Sequence, residues 1–295
     1  MDVFAELNEL IPGLDDRLFP DPPVGRNVFV VGAPRSGTTL LTQMVSCAFD
    51  IGYINNVAAS WWQSPAAGVV YANRLVTERR FAGVSNFGGT SGPAEPHEFG
   101  GFWRNKLGYR DMLQKESHDP DWDGLLRSLD QIGQAWEGRS VLFKVFQLVW
   151  HLQEIHQRRP ETKWIWVQRD LPSNAQSLRK LIELRGETWT SAVPLKAIRE
   201  FSDASDLERS VAQIVFYCEW LEQQFAAIPS SAVLRVQLSD LAAEPRQQLQ
   251  RVGDFVEQDL RIEQLEAIAA GTRSASPLDP AFVREIDSIC ERVKS

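Results

Sequence analysis

Short, almost unbroken apolar runs alternate along this chain with longer stretches whose apolar residues recur at helical spacing. Asn27–Val31 (NVFVV), Ser140–Val145 (SVLFKV), Lys163–Gln168 (KWIWVQ) and Val233–Leu238 (VLRVQL) read as strands, and the region Ile51–Val57 adds a fifth candidate. Apolar runs of this length suit strands buried in a sheet. Helical stretches follow several of them: Thr39–Phe49, a segment from about Pro172, and Pro245–Val256. Strand–helix alternation of this kind predicts an α/β fold with a parallel sheet.

No internal repeat or low-complexity tract interrupts the 295 residues. Phe87–Pro96 is the most turn-rich stretch, with Gly88, Gly89, Gly92, Pro93 and Pro96. Such a segment inside a domain is either a functional loop or locally disordered. It does not read as a boundary. The expectation is a single domain over 1–295, with residues 52–136 forming an insertion or cover over the sheet.

Charge narrows the function classes. The chain has 31 basic and 39 acidic residues, a net charge of −8, which argues against general nucleic-acid binding while leaving room for a local basic pocket. Cys47, Cys218 and Cys290 are far apart and odd in number, so reduced thiols are expected rather than a disulfide framework. The acidic start, with Asp2, Glu6, Glu9, Asp15 and Asp16, lacks the pattern of a signal peptide, and no run has membrane-spanning length. A cytoplasmic location without stable membrane insertion is the expectation.

The most informative stretch is Gly32-Ala33-Pro34-Arg35-Ser36-Gly37-Thr38-Thr39, between the first strand and its helix. Glycines permit a sharp turn and close approach to an anion. The amides of Ser36 to Thr39 fall at a helix start, where unsatisfied donors and the macrodipole favour negative charge. Arg35 adds a cation, and Ser36, Thr38 and Thr39 add hydroxyls. A plain turn linking strand to helix would need none of these groups. The loop is not a Walker A sequence either. Thr38 stands where that motif has its lysine, which suits a nucleoside triphosphate poorly.

A second candidate anion site lies in KWIWVQRDLPSNAQSLRK, Lys163–Lys180. A strand ends near Arg169, Pro172 suits the first turn of a helix, and Ser177 follows one turn later. Arg169 and Ser177 can then meet one anion at the C-terminal edge of the sheet, where open α/β sheets bind ligands. The simpler alternative pairs Arg169 with Asp170 and leaves Ser177 on a solvated face.

With VGAPRSGTTLL and this Arg169–Ser177 spacing, the chain resembles the sulfotransferase family, in the arginine-containing version of its phosphate loop. The resemblance runs from about Asn27 to Phe255. It implies a three-layer, P-loop-type α/β fold with a central parallel sheet flanked by helices. It implies transfer of a sulfuryl group from 3'-phosphoadenosine 5'-phosphosulfate (PAPS), releasing PAP, with no metal. By resemblance Arg35 with Ser36, Gly37, Thr38 and Thr39 holds the 5'-phosphosulfate, and Arg169 with Ser177 holds the 3'-phosphate.

The same resemblance places Lys144, at the end of its strand, against the transferring group. It does not supply the general base. The position two residues later, often histidine in the family, is Phe146, and Gly52–Asn56 lacks the glutamate of the tyrosylprotein branch. The substitute is Glu95-Pro96-His97-Glu98, which follows the glycine-rich loop. Glu98 is the first candidate base and His97 the second; a capping or surface role for these residues is the alternative. His118, His151 and His156 read as surface or structural residues, and no metal site is inferred.

Ten tryptophans, among them Trp61, Trp62, Trp103 and Trp189, allow an aromatic acceptor pocket as well as ordinary packing. The expected partner is a small-molecule, glycan or lipid acceptor bearing a hydroxyl or amine, with the oligomeric state open. Gly271-Thr272-Arg273-Ser274 is a further candidate for a 3'-phosphate contact, though the family's Arg-Lys-Gly signature is missing. Two other functions stay open: a P-loop small-molecule kinase, and a non-catalytic protein that binds PAP or PAPS.

Overall fold

The structure is a computed structural model that describes residues 3–76, 79, 81–86, 88–109, 120–271 and 277–294. Among them the strands are β1 (Asn27–Val31), β2 (Gly52–Tyr53), β3 (Val141–Lys144), β4 (Lys163–Gln168) and β5 (Val233–Gln237). They form one sheet in the order β2-β3-β1-β4-β5, and every pairing is parallel. The four longer apolar runs are therefore strands, as their pattern predicts.

Side-chain alternation along β1 explains the layering. Val28 and Val30 face the helices Thr38–Ala48 and Pro245–Val256, packing with Leu41, Met44, Leu249 and Val252. Phe29 and Val31 face the opposite way, into the larger core of the helices Trp122–Ala135, Leu171–Arg185 and Asp206–Ala226. Both faces are covered, so β1 is buried throughout and reads as a continuous apolar run. Phe29 stacks on Phe143 and Trp164 of the flanking strands at 5.5 and 5.0 Å between ring centroids. The helices on both faces of this sheet make the predicted three layers.

The fifth predicted strand is only Gly52–Tyr53. Its continuation turns to a different partner. Ile54 O accepts from His97 N–H at 2.8 Å, and Asn55 bridges Pro96 in antiparallel fashion. The segment carrying His97 and Glu98 is thus tied to the sheet edge.

Topology then sets the site. β1 lies between β3 and β4, and all C-terminal ends share one edge. Lys144 is in register with Val30 at the end of β3, and Trp166 with Val31 shortly before Arg169. The loop leaving β1 is flanked by Lys144 on one side and Arg169 on the other. His118 and Thr272 to Ser274 lie outside the described residues.

Candidate active site

The loop from Gly32 to Gly37 is shaped by steric necessity at two glycines. A Cβ on Gly32 would lie 2.5 Å from Val167 O and 2.5 Å from Ser36 Oγ, so no side chain fits. Gly37 has φ +100° and directly precedes the helix Thr38–Ala48, a conformation that L side chains rarely adopt. Arg35 also has positive φ, +69°, without being glycine. Its carbonyl is held by Arg169 Nη1 at 3.0 Å. With its amide nitrogen turned to the loop, the buried Asn174 donates to Pro34 O at 2.7 Å and Arg35 O at 3.3 Å. Neighbouring groups thus over-determine a strained backbone that presents the Arg35 guanidinium.

The predicted loop residues divide in their placement. Gly37, Thr38, Thr39 and Arg35 line a cleft of about 530 Å³. The first-turn amides of the helix lack intrahelical acceptors and face this end of it. Ser36 is different. Its N–H donates to Ala33 O at 3.0 Å, and its side chain is buried with Oγ unpartnered. It closes the turn from beneath.

The second cluster meets the first. Arg35 Nε donates to Ser177 Oγ at 3.2 Å, and Arg169 lines the same cleft. The helix Leu171–Arg185 that carries Ser177 starts as its sequence suggests. Asp170 is the N-cap, its carboxylate accepting from Ser173 N–H at 2.8 Å, with Pro172 in the first turn. Burial lowers the pKa of both Arg35 and Arg169 from the ordinary guanidinium value; their mutual repulsion adds to this at Arg35. Two desolvated cations side by side are a ready receptor for a polyanion.

Lys144 is 5% exposed and donates to Thr39 Oγ1 at 2.7 Å and to Glu98 Oε1. Burial lowers its pKa, and the Glu98 carboxylate opposes the shift. The pairing occupies Oε1 of Glu98 and leaves Oε2 for another partner. Phe146 lines the cleft nearby, its ring centroid 5.2 Å from Lys144 Nζ. His97 Nδ1 accepts from Phe99 N–H at 2.8 Å, so the neutral ring carries its proton on Nε2. Burial lowers the His97 pKa, which favours that neutral form. Glu95 turns away from the cleft lining to accept from Gln43 Nε2 at 2.6 Å.

Several lining residues had no motif to reveal them. Gly88 lies close to Glu98, Arg35 and Lys144: a Cβ there would lie 3.3 Å from Glu98 Oε1, 3.7 Å from Arg35 Nη1 and 3.8 Å from Lys144 Nζ. Arg104, Arg185 and Ser191 also line the cleft. The one available signal was the glycine-rich composition around Gly88; isolated arginines on helices carry none. Trp103 and Trp164 are fully buried core residues. Among the described residues no group of three or more His, Cys, Asp or Glu is arranged to hold a metal ion, and no helix is long and apolar enough to cross a membrane.

Solved structures share this architecture. Sulfotransferase STF1 from Mycobacterium tuberculosis H37Rv superposes with a TM-score of 0.62 at 16% identity, covering 98% of this chain and 82% of its own. Sulfotransferase STF9 from Mycobacterium avium gives 0.63 at 13% identity, covering 95% and 79%. A sulfotransferase from Alicyclobacillus acidocaldarius gives 0.50 at 15% identity, covering 91% and 92%. No curated protein matches the sequence. At the sequence level the family described as "Sulfotransferase family" matches residues 27–261, which include every residue of the cleft described above, and the chain belongs to that family.

Proposed function

We propose that this protein transfers a sulfuryl group from PAPS to a hydroxyl or amine of a small-molecule, glycan or lipid acceptor. The observation that carries the reading is the meeting of two anion-receptive clusters: Gly37–Thr39, Arg35 and Arg169 line one cleft, and Arg35 is hydrogen-bonded to Ser177. A ligand with phosphates at both ends of its ribose matches that arrangement, and a mononucleotide with one phosphate chain does not. Ser177 and Arg169 would take the 3'-phosphate. The helix-start amides, Arg35 and Lys144 would take the 5'-phosphosulfate.

The donor supplies the sulfuryl group and a stable leaving phosphate when bound. Glu98 accepts the proton of the acceptor hydroxyl on Oε2 while Lys144 holds Oε1. The acceptor oxygen bonds to sulfur as the bond from sulfur to the phosphate oxygen breaks, and PAP leaves. Arg35 and Lys144 neutralise the charge gathering on that oxygen, and their buried setting strengthens the effect. His97, with its proton on Nε2, donates a hydrogen bond to the acceptor rather than removing its proton.

Thermal shift with PAP against ATP–Mg²⁺ tests the reading. PAP is expected to raise the melting temperature strongly, by the mass-action effect of a ligand that binds only the folded state, while ATP–Mg²⁺ does little. The reverse result favours a kinase. Tight PAP binding with persistent absence of transfer from labelled PAPS to acceptor pools favours a binding protein.

A further inference from the structure

The cleft is far more cationic than the chain that encloses it. Among the described residues that line it, Arg35, Arg104, Lys144, Arg169 and Arg185 stand against the single carboxylate of Glu98, in a protein of net charge −8. Arg35, Lys144 and Arg169 sit at the strand ends, where the donor reading uses them. Arg104 and Arg185 do not.

Arg104 follows Glu98 closely in the chain. Arg104 is on the helix Gly100–Leu107, which begins two residues after Glu98. The first turn of that helix is Gly100-Gly101, which also lines the cleft. Neither glycine has positive φ, and a Cβ on Gly101 would meet nothing within 4 Å. Backbone geometry and packing therefore do not require glycine there. The pair leaves open volume on the wall beside the carboxylate, with Arg104 one turn further on. Among the described residues Arg104 has no carboxylate partner. Arg185 lies eight residues beyond Ser177 on the helix Leu171–Arg185, about 12 Å along its axis at 1.5 Å per residue. That displacement carries it away from the Arg169 end, although its charge still reaches Arg35 and helps lower the pKa there.

A third group is built into the same wall. Ser191 has φ +62°, a strained conformation for a residue that is not glycine. The segment is fixed by Gln213, fully buried, which donates to Thr190 O and Ala192 O at 2.7 Å each. Arg185 Nη1 donates to Thr190 Oγ1 at 3.1 Å. Arg185 and Ser191 are thus held together, and both face the cleft. Arg185 also has Glu187 at 3.9 Å, a half-exposed pair that neutralises it little.

We infer that Arg104, Arg185 and Ser191 form an oxyanion subsite for the acceptor, so that the acceptor bears a carboxylate, sulfate or phosphate beside the hydroxyl that reacts. The inference rests on the donor reading above, which assigns the Arg35–Arg169 end to the nucleotide. A guanidinium presents a planar fork that suits such oxyanions, and the serine hydroxyl adds a donor.

The test uses the full chain saturated with PAP and matched probes measured by calorimetry. The pairs are 4-hydroxyphenylacetate with its amide, glucuronate with glucuronamide, and glucose 6-phosphate with glucose. For at least one pair the anionic member is expected to bind ten-fold or more tightly than the neutral one, and less so as salt rises. Arg104→Ala and Arg185→Ala should each erase most of that preference while changing PAP affinity less than three-fold; Arg185→Lys, which keeps the charge, should retain part of it. Equal binding of both members in every pair, no binding of any anionic probe, or a preference that survives both alanine variants overturns the subsite. PAP affinity is measured first. Failure of PAP to bind overturns the donor reading and the subsite with it, whereas PAP binding without anion preference removes the subsite alone.

Discussion

Arg35 and Ser177 are separated by 142 residues, yet the arginine Nε donates to the serine hydroxyl at 3.2 Å. This contact joins the loop after β1 to the helix after β4, and each is fixed by its own local chemistry. Gly32 and Gly37 shape the loop, while Asp170 caps the helix. Arg169 closes the circuit by holding the Arg35 carbonyl at 3.0 Å. A ligand that engages one cluster therefore alters the electrostatics of the other.

Ser177→Ala should weaken PAP binding by about 10- to 100-fold, since a hydrogen bond to a charged group contributes on the order of 1.5–3 kcal/mol. The loss should appear in donor affinity and KM more than in kcat. Titration calorimetry with PAP checks it; an unchanged affinity removes Ser177 from the donor site.

Glu98→Gln should reduce kcat by about 10²–10⁴-fold, the usual contribution of a general base, with little change in PAP affinity. It carries a pH signature as well. In the proposed reaction Lys144 binds the donor as an ammonium; burial holds its pKa below the ordinary 10.5 while the Glu98 charge pushes it up. PAP affinity should fall as pH rises through the Lys144 value. Removing the Glu98 charge lowers that value further, so the fall in Glu98→Gln should come at lower pH than in the parent. Coincident profiles would show that the two groups do not interact in solution.

The sheet was legible because β1, β3 and β4 are covered on both faces and so carry unbroken apolar runs. β2 was harder to bound, since its continuation leaves the sheet to pair with Pro96 and His97. The phosphate loop was legible because glycine, hydroxyl and cation occur together where strand meets helix. The Lys144–Glu98 pair was not, because the carboxylate arrives from a loop whose path depends on tertiary contacts to Ile54 and Asn55. Arg104 and Arg185 lay beyond reach for the same reason: the helix that presents each is ordinary in sequence, and its orientation alone turns the side chain to the cleft.

Gly88→Ala tests how closely the glycine-rich loop is bound to the chemistry. Gly88 has φ +95°, and the added methyl would stand 3.3 Å from Glu98 Oε1. The substitution strains the backbone and displaces the carboxylate. A loss of up to about 10-fold in kcat is expected, since the carboxylate must give by only a few tenths of an ångström where ~1 Å of misplacement costs about 10²-fold, together with a lowered melting temperature from the strained backbone. Unchanged turnover in single-turnover kinetics would show that the loop stands clear of the reacting groups.

Glu95→Gln separates the neighbouring carboxylate from catalysis. Glu95 is 8% exposed, its Oε2 accepts from Gln43 at 2.6 Å, and burial raises its pKa above the ordinary 4.5. A carboxyl whose folded value is raised binds its proton more tightly in the folded state. Its contribution to stability is therefore full below pH 4.5 and is lost as pH rises through the folded value. Glutamine keeps an acceptor for Gln43 and carries no charge at any pH. The variant should melt above the parent at pH 8. That gain should shrink as pH falls through the folded Glu95 value, where the parent regains its proton. A variant less stable at pH 8 would mean that the Gln43 bond needs the charge, and that Glu95 tethers the loop as a carboxylate.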